Sequence, residues 1–163
     1  MTYHIDIQHA CADKIPITDA IMRKWARLTL ATECDTAELT LRLVDSADIT
    51  QLNLQYRKQN KATNVLAFPA HIPAGIELAY PLLGDVIICP SVLQHESIEL
   101  QKPLIAHWAH IVIHGILHLL GYDHIHENDA TIMQGLEIEL LAQLNFDNPY
   151  TENTDYLEDN TIE

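Results

Sequence analysis

The chain has 163 residues, of which 48% are hydrophobic, so it is long enough for one domain with a substantial core and too short for two. Its formal net charge of −14 argues against broad, nonspecific binding to nucleic acid, because neutralising phosphates requires lysine and arginine. The charge is uneven: all nine basic residues lie in the first 102 positions, and the last 61 hold eleven acids and no base. A positive cleft in one part of the chain is compatible with this distribution.

Hydrophobic periodicity predicts one domain in which about four strands and about five helices alternate. The strands are predicted at residues 3–8, 39–43, 64–68 and 85–89. The helices are predicted at residues 18–31, 45–56, 91–100, 103–120 and 129–144. In the last helix, one apolar stripe is predicted, formed by Ile132, Leu136, Leu140 and Leu144.

Two connections and the C-terminal end are polar. Residues 57–63 (RKQNKAT) hold three of the nine basic residues and are most simply a solvated loop, while residues 69–81 form a longer excursion. From Asp147 onward, acidic and amide residues predominate. This composition predicts a single domain at residues 1–146 followed by an acidic, poorly ordered tail at 147–163.

The cysteines and the apolar segments indicate a cytoplasmic protein. Cys11, Cys34 and Cys89 are odd in number and form no CxxC pair, which favours free thiols and no disulfide partner. The first residues lack a basic region followed by an apolar stretch, so no signal peptide is expected. Residues 104–122 carry four histidines, which indicates a buried core helix and no contact with a membrane.

The most informative segment is HGILHLLGYDH, which holds His114, His118 and His124. Positions i and i+4 share one face of a helix, so His114 and His118 can direct their ring nitrogens at one ion. Gly121 supplies the left-handed conformation that ends a helix, after which the chain can turn back and bring His124 to that ion. Three imidazoles with a fourth position for water are typical of a catalytic zinc site. We therefore expect one Zn²⁺ per chain, with Ni²⁺ or another divalent transition metal as alternatives.

Two more histidines compete as ligands on spacing alone. His107 and His110 lie on the same helical face as His114 and His118. We place them behind the ligands or in the wall of the cleft, because only His124 arrives from a different direction. His110 is also a candidate for moving a proton, with a buried structural role as the favoured alternative.

The order HxxxHxxGxxH resembles the zinc signature of the metzincin proteases, in which a glutamate after the first histidine serves as general base. Here that position is Gly115, which cannot abstract a proton, so a metallopeptidase is disfavoured. Glycine inside a helix costs about 1 kcal/mol relative to alanine. We therefore expect close approach by another backbone or a substrate at Gly115, with tight core packing as an equal alternative.

A wider pattern supports a family assignment. HGILHLLGYDH, the acidic helix after it and the ending FDNPY closely resemble the YbeY family of bacterial ribosomal RNA maturation factors. NLQYRKQNKATNVLAFP resembles that family's pattern of tyrosine-arginine, threonine and a strand ending in phenylalanine-proline, and LGDVII resembles its glycine-aspartate strand. Together these motifs span most of residues 50–150.

This resemblance implies a single α+β, zincin-like domain in which a small mixed sheet packs with the helices and the central helix binds the metal. It also implies a metal-dependent endoribonuclease specific for single strands. It implies action in ribosomal RNA processing, at the 3′ end of the small-subunit RNA, and in ribosome quality control. The implied partners are single-stranded ribosomal RNA and the small ribosomal subunit with its proteins. Four positions depart from residues common in the family, which there are aspartate, proline, aspartate and serine: Asn60, Ala62, Asn64 and Ala67.

The resemblance also implies a mechanism that the residue chemistry permits. The metal would lower the pKa of bound water toward about 7 or polarise a phosphoryl oxygen. Arg57 would clamp the scissile phosphate, because a planar guanidinium suits this better than lysine. No side chain is a secure general base. Asp123, beside His124, and Asp85 are candidates, and for Asp123 a turn-capping role or a contact behind the ligands is an equal alternative.

A second function stays open. The missing glutamate and the acidic composition both favour a ribosome-assembly factor in which the metal only organises the fold. A metallopeptidase is the third and least favoured alternative, since it needs a base that the motif lacks.

Overall fold

A mixed four-stranded sheet lies at the centre of the fold, in a computed structural model that describes residues 1–123 and 126–150. Its strands are β1 (Thr2–Ala10), β2 (Thr36–Val44), β3 (Val65–Pro69) and β4 (Leu82–Ile88). They lie in the order β1-β2-β4-β3. The first three in this order run parallel, and β3 pairs antiparallel with β4 at the edge.

Five helices accompany the sheet: α1 (Asp19–Leu30), α2 (Ser46–Arg57), α3 (Pro90–Glu99), α4 (Leu104–Leu119) and α5 (Glu127–Gln143). Side chains cap the first two, since the Thr18 hydroxyl accepts from the N–H of Ile21 and the Asp45 carboxylate accepts from the N–H of Asp48. The predicted α+β class, with a four-stranded mixed sheet and five helices, is therefore confirmed. Within residues 1–123 and 126–150, no helix is both long enough and apolar enough to cross a membrane.

The sheet separates two apolar layers. The larger layer joins the sheet to α1, α4 and α5. On the other face, α2 contributes Ile49 to a smaller cluster with Val44, Leu66, Ile87 and Cys89. Side chains alternate along β4, so Val86 lies on the face of the sheet that packs against α4 and Ile87 lies on the face that packs against α2.

Helix α4 is the most enclosed element of the fold. Every residue from His107 to Leu119 is buried. The helix packs against β3, β4 and the helices α1, α3 and α5. Because buried polar groups need hydrogen-bond partners, the four histidines of this segment depend largely on neighbouring protein groups.

Gly115 allows α4 to lie directly on the sheet. A Cβ atom built at Gly115 would lie 2.6 Å from Cγ1 of Val86 and 3.3 Å from Cγ2 of Val65. Both neighbours are side chains of strands β3 and β4, so the expected approach of a backbone or substrate is wrong and tight core packing is correct. The glycine fixes the distance between the helix that carries His114 and the edge of the sheet.

The predicted apolar stripe of α5 is confirmed at three of its four positions. Leu140 is buried, and Leu136 and Leu144 are partly buried against the core, whereas Ile132 is 55% exposed. The buried side of the helix also holds Met133, Glu137 and Leu141, which the stripe left out. A glutamate, and not only apolar residues, therefore lies on the side of α5 that faces the core.

We expect Gly115→Ala to lower the free energy of unfolding by about 1–3 kcal/mol, because the added methyl must displace the stiff side chain of Val86. The matched control is Gly135→Ala in α5, where nothing lies within 4 Å of the added Cβ. That control is expected to raise stability by about 0.5–1 kcal/mol through helix propensity. Urea unfolding of both variants provides the measurement. Equal effects of the two substitutions would show that α4 can move away from the sheet at no cost.

Candidate metal centre

The C-terminal end of α4 is a left-handed glycine turn. Gly121 has φ +101°, its N–H donates to the carbonyl of His118, and the N–H of Tyr122 donates to the carbonyl of Leu117. These two bonds form the Schellman motif, which ends a helix and reverses the chain direction. The predicted role of Gly121 is therefore confirmed. His124, the third predicted ligand, lies outside the described residues.

Two of the predicted ligands converge. The Nε2 atoms of His114 and His118 lie 3.0 Å apart, and the ring centroids are 4.5 Å apart at an interplanar angle of 85°. Both side chains are buried. Two ligands bound at 2.0–2.1 Å to a tetrahedral ion lie about 3.3 Å from each other, so this separation is close to what one shared ion requires.

The opposite ring nitrogens face hydrogen-bond acceptors. Nδ1 of His118 donates to the carbonyl of Tyr122 at 3.0 Å, and Nδ1 of His114 lies 3.5 Å from Oε2 of Glu137. The carbonyl of Tyr122 requires the proton of His118 on Nδ1, and the negative charge of Glu137 attracts a proton to Nδ1 of His114. With both protons on Nδ1, a cation between the two Nε2 atoms would satisfy both rings. The donor set therefore fits a metal ion.

Glu137 connects α5 to the histidine helix. Its carboxylate is 1% exposed, it forms a short contact with Nε2 of His110, and it accepts from the hydroxyl of Tyr150 at 2.9 Å. Burial raises the pKa of Glu137, but attraction to His110 and His114 outweighs burial and leaves the pKa well below its ordinary value. We therefore treat Glu137 as an ionised carboxylate within the core.

A second grouping of ligand atoms also contains His114. His110, His114 and Glu137 are buried, with ligand atoms within 4.8 Å of one another, and this group could hold a metal ion. Burial lowers the pKa of His110, against the opposing attraction of Glu137. His114 is thus common to two candidate ligand sets, one with His118 and one with His110 and Glu137.

Comparison with known proteins gives the same family as the sequence motifs. A sequence model described as endoribonuclease YbeY matches residues 7–145. The chain belongs to the YbeY family. Two relatives named endoribonuclease YbeY, from the Corby and Lens strains of Legionella pneumophila, are each 56% identical over 158 residues, or 97% of this chain and 100% of theirs. The solution structure of TM1509 from Thermotoga maritima shares the fold, with a TM-score of 0.56 and 22% identity over 90% of this chain and 99% of that one.

In this member of the YbeY family, Arg57 ends helix α2 and is half-buried. The segment after it forms no helix or strand and exposes Lys58 and Lys61, as the predicted solvated loop does, but it is also tied to the fold. Lys58 adopts a left-handed conformation with φ 60°, and the buried Asn53 side chain donates to the carbonyl of Lys61 at 3.0 Å. This segment leads into β3, where Val65 packs against α4 at Gly115. The basic segment and the histidine helix therefore share the edge strand as a common support.

The two candidate proton-transfer aspartates occupy different places. Asp123 is half-buried and directly follows the glycine turn. Asp85 is exposed in β4, and alternation along the strand directs its side chain to the face opposite Val86, away from α4. The structure therefore brings His110, His114 and His118 together and leaves Asp85 on the other side of the sheet.

The residues that support the YbeY histidines were missed in the sequence. Glu137 lies on the buried side of α5, and Glu96 of α3 contacts Nε2 of His107 at 2.9 Å. No local pattern in the sequence indicated Glu137, because its burial depends on His110, 27 residues earlier. Residues 147–150, assigned by sequence to the tail, also contact the fold, since Lys102 Nζ donates to the carbonyl of Pro149 at 2.7 Å.

Asn64, one of the departures from common YbeY residues, has a structural explanation. Its side-chain amide lies 3.3 Å from both carboxylate oxygens of Glu96, which also contacts His107. An amide can donate to Glu96, whereas a carboxylate at this buried position would repel it. Asn64 therefore joins the start of β3 to α3 and α4 through one acidic side chain.

We expect Asn64→Asp to lower the free energy of unfolding by about 1–3 kcal/mol at neutral pH, because two carboxylates would then face each other. Glu96→Gln introduced with Asn64→Asp restores a donor and an acceptor and should recover most of that loss. A double-mutant cycle measured by urea unfolding gives the coupling between the two positions. Losses that simply add would show that Asn64 and Glu96 do not interact.

Proposed function

We propose that this protein is a zinc-dependent endoribonuclease that cleaves single-stranded RNA in the cytoplasm. One observation carries the proposal: the Nε2 atoms of His114 and His118 face each other at 3.0 Å, in a chain of the YbeY family. The relatives from Legionella pneumophila are named endoribonucleases, which supports RNA as the substrate.

The proposed ligands are His114, His118 and His124, holding one zinc ion per chain. The orientation of the first two rings supports this set, and the turn at Gly121 brings the carbonyl of Tyr122, two residues before His124 in the sequence, back to Nδ1 of His118. We favour it over the group of His110, His114 and Glu137, because His110 and Glu137 already satisfy each other by direct contact. Imidazole ligands with one open position suit zinc, and Ni²⁺ is the main alternative.

Bound zinc would polarise a phosphoryl oxygen and lower the pKa of coordinated water. Arg57 is proposed to bind the scissile phosphate through its guanidinium and to stabilise the negative charge that develops during cleavage. Lys58 and Lys61 add positive charge beside it, in a protein whose net charge is −14. The basic segment therefore provides the local attraction for RNA that the chain as a whole lacks.

Proton transfer is assigned to Asp123. It is half-buried beside His124, at the end of the glycine turn. Glu137 faces Nδ1 of His114, on the side of the ring away from Nε2, so it is poorly placed to accept a proton from water near the ligand nitrogens. We assign His110 a structural role, and Asp85, which lies on the face of the sheet against which α2 packs, is the alternative to Asp123.

We also propose that the substrate is ribosomal RNA, processed at the 3′ end of the small-subunit RNA, with a further role in ribosome quality control. The small ribosomal subunit and its proteins are the proposed partners. This part of the proposal is supported by the close resemblance of HGILHLLGYDH and NLQYRKQNKATNVLAFP to the family motifs, and by a family match spanning residues 7–145.

We expect Arg57→Ala to reduce cleavage of an unstructured RNA oligonucleotide by about 10²–10³-fold, because the charge on the phosphate loses its fixed donor. Zinc content should stay at one ion per chain. Arg57→Lys should recover only part of the activity. The matched control is Arg42→Ala, which removes an exposed arginine of β2 that bonds Gln8. Equal activity of Arg57→Ala and the parent protein would exclude Arg57 from the mechanism.

Two glutamine substitutions on α4 distinguish the candidate ligand sets. We expect His118→Gln to lose stoichiometric zinc and RNA cleavage, while His110→Gln keeps one zinc ion per chain. Elemental analysis of tag-free protein gives the metal content. The opposite pattern would assign the ion to His110, His114 and Glu137. Circular dichroism of the zinc-free protein gives a further test, since loss of the fold would favour an assembly factor with a structural metal.

A further inference from the structure

We propose that Tyr150 is a positioning residue of the metal centre, which acts through Glu137 on the orientation and tautomer of His114. The inference rests on the proposed assignment of His114 as a metal ligand. It extends the centre to the segment after α5, which the sequence assigned to a tail.

The hydroxyl of Tyr150 reaches the buried carboxylate directly. It donates to Oε2 of Glu137 at 2.9 Å and lies 3.2 Å from Nε2 of His110. The rings of Tyr150 and His110 pack edge to face, with centroids 5.4 Å apart at 87°. Tyr150 therefore contacts both members of the pair that lies behind His114.

Two further bonds hold the segment that carries Tyr150. Lys102, which precedes α4, donates from Nζ to the carbonyl of Pro149 at 2.7 Å. The N–H of Tyr150 donates to the side-chain oxygen of Asn148 at 2.8 Å. The hydroxyl thus approaches Glu137 from a chain segment with a defined conformation.

One carboxylate oxygen of Glu137 contacts three side chains. Oε2 receives the Tyr150 hydroxyl, contacts Nε2 of His110 and lies 3.5 Å from Nδ1 of His114. A buried carboxylate needs such donors to remain charged and fixed in place. If the Tyr150 donor is removed, the carboxylate is held less firmly opposite His114. The proton of His114 is then less strongly confined to Nδ1, and Nε2 becomes a weaker metal ligand.

The first test measures zinc affinity by competition with a chelator, using the full chain. Tyr150→Phe keeps the ring contact and removes only the hydroxyl, and we expect about tenfold weaker zinc binding. Glu137→Gln should weaken binding by about 10- to 100-fold. The double variant should bind zinc as Glu137→Gln does, because Tyr150 acts through Glu137. Losses that multiply in the double variant, or an unchanged affinity in Tyr150→Phe, would overturn the proposal.

The matched control is Tyr3→Phe. This variant also removes a tyrosine hydroxyl that donates a hydrogen bond, here to the carbonyl of Cys34, but it lies on β1. Its zinc affinity should equal that of the parent protein. A comparable loss of affinity in Tyr3→Phe would show that Tyr150→Phe acts only through general stability.

A second measurement observes His114 itself in zinc-loaded protein, where the ring proton lies on Nδ1. In long-range ¹H–¹⁵N NMR spectra, the Nδ1 proton of His114 should move upfield in Tyr150→Phe relative to the parent, because its contact with Glu137 weakens. Identical spectra would contradict the proposed role. Neither measurement uses RNA, so a parent protein that binds zinc but fails to cleave RNA would overturn the proposed function alone. A parent protein that binds no zinc would overturn both.

Discussion

Four buried histidines on one helix impose the main constraint on this fold. A buried imidazole must find most of its partners in the protein. Three neighbouring elements meet this requirement: α3 supplies Glu96, α5 supplies Glu137, and the turn after α4 supplies the carbonyl of Tyr122. The arrangement of helices around α4 is therefore determined by polar contacts as much as by apolar packing. The contacts of Glu137 and Tyr122 lie on the Nδ1 side of His114 and His118, opposite the side where the two Nε2 atoms meet.

The features that could be predicted from the sequence are those determined by neighbouring residues. Four strands, five helices and the glycine turn follow from patterns that span only a few residues, and the turn at Gly121 needed nothing beyond its own position in HGILHLLGYDH. The partners of the histidines were not predictable, because Glu137 lies 27 residues after His110 and Tyr150 lies 40 residues after it. A pattern that counts only apolar residues cannot anticipate a glutamate whose burial depends on a distant histidine.

In the candidate site, too, local spacing was predictable and contacts between distant residues were not. Spacing brought His114 and His118 together on α4, and the structure agrees to within bonding distance of a common ion. Spacing could not decide the roles of His107 and His110, which depend on carboxylates from other helices. The segment after Arg57 looked like a solvated loop because its sequence is polar. Its attachment is made by Asn53 and Asn64, whose burial is a property of the assembled fold and not of the local sequence.

The close contact of α4 with the sheet also limits which catalytic residues can be placed beside these histidines. In the related protease signature, the general base occupies the position that here is Gly115. At that position even a single methyl group would collide with Val86, so the much longer side chain of a glutamate has no room unless the helix leaves the sheet. One substitution therefore cannot convert this centre into a protease. The separation between the two kinds of enzyme is enforced by the volume available beneath the helix, in addition to the identity of the residue.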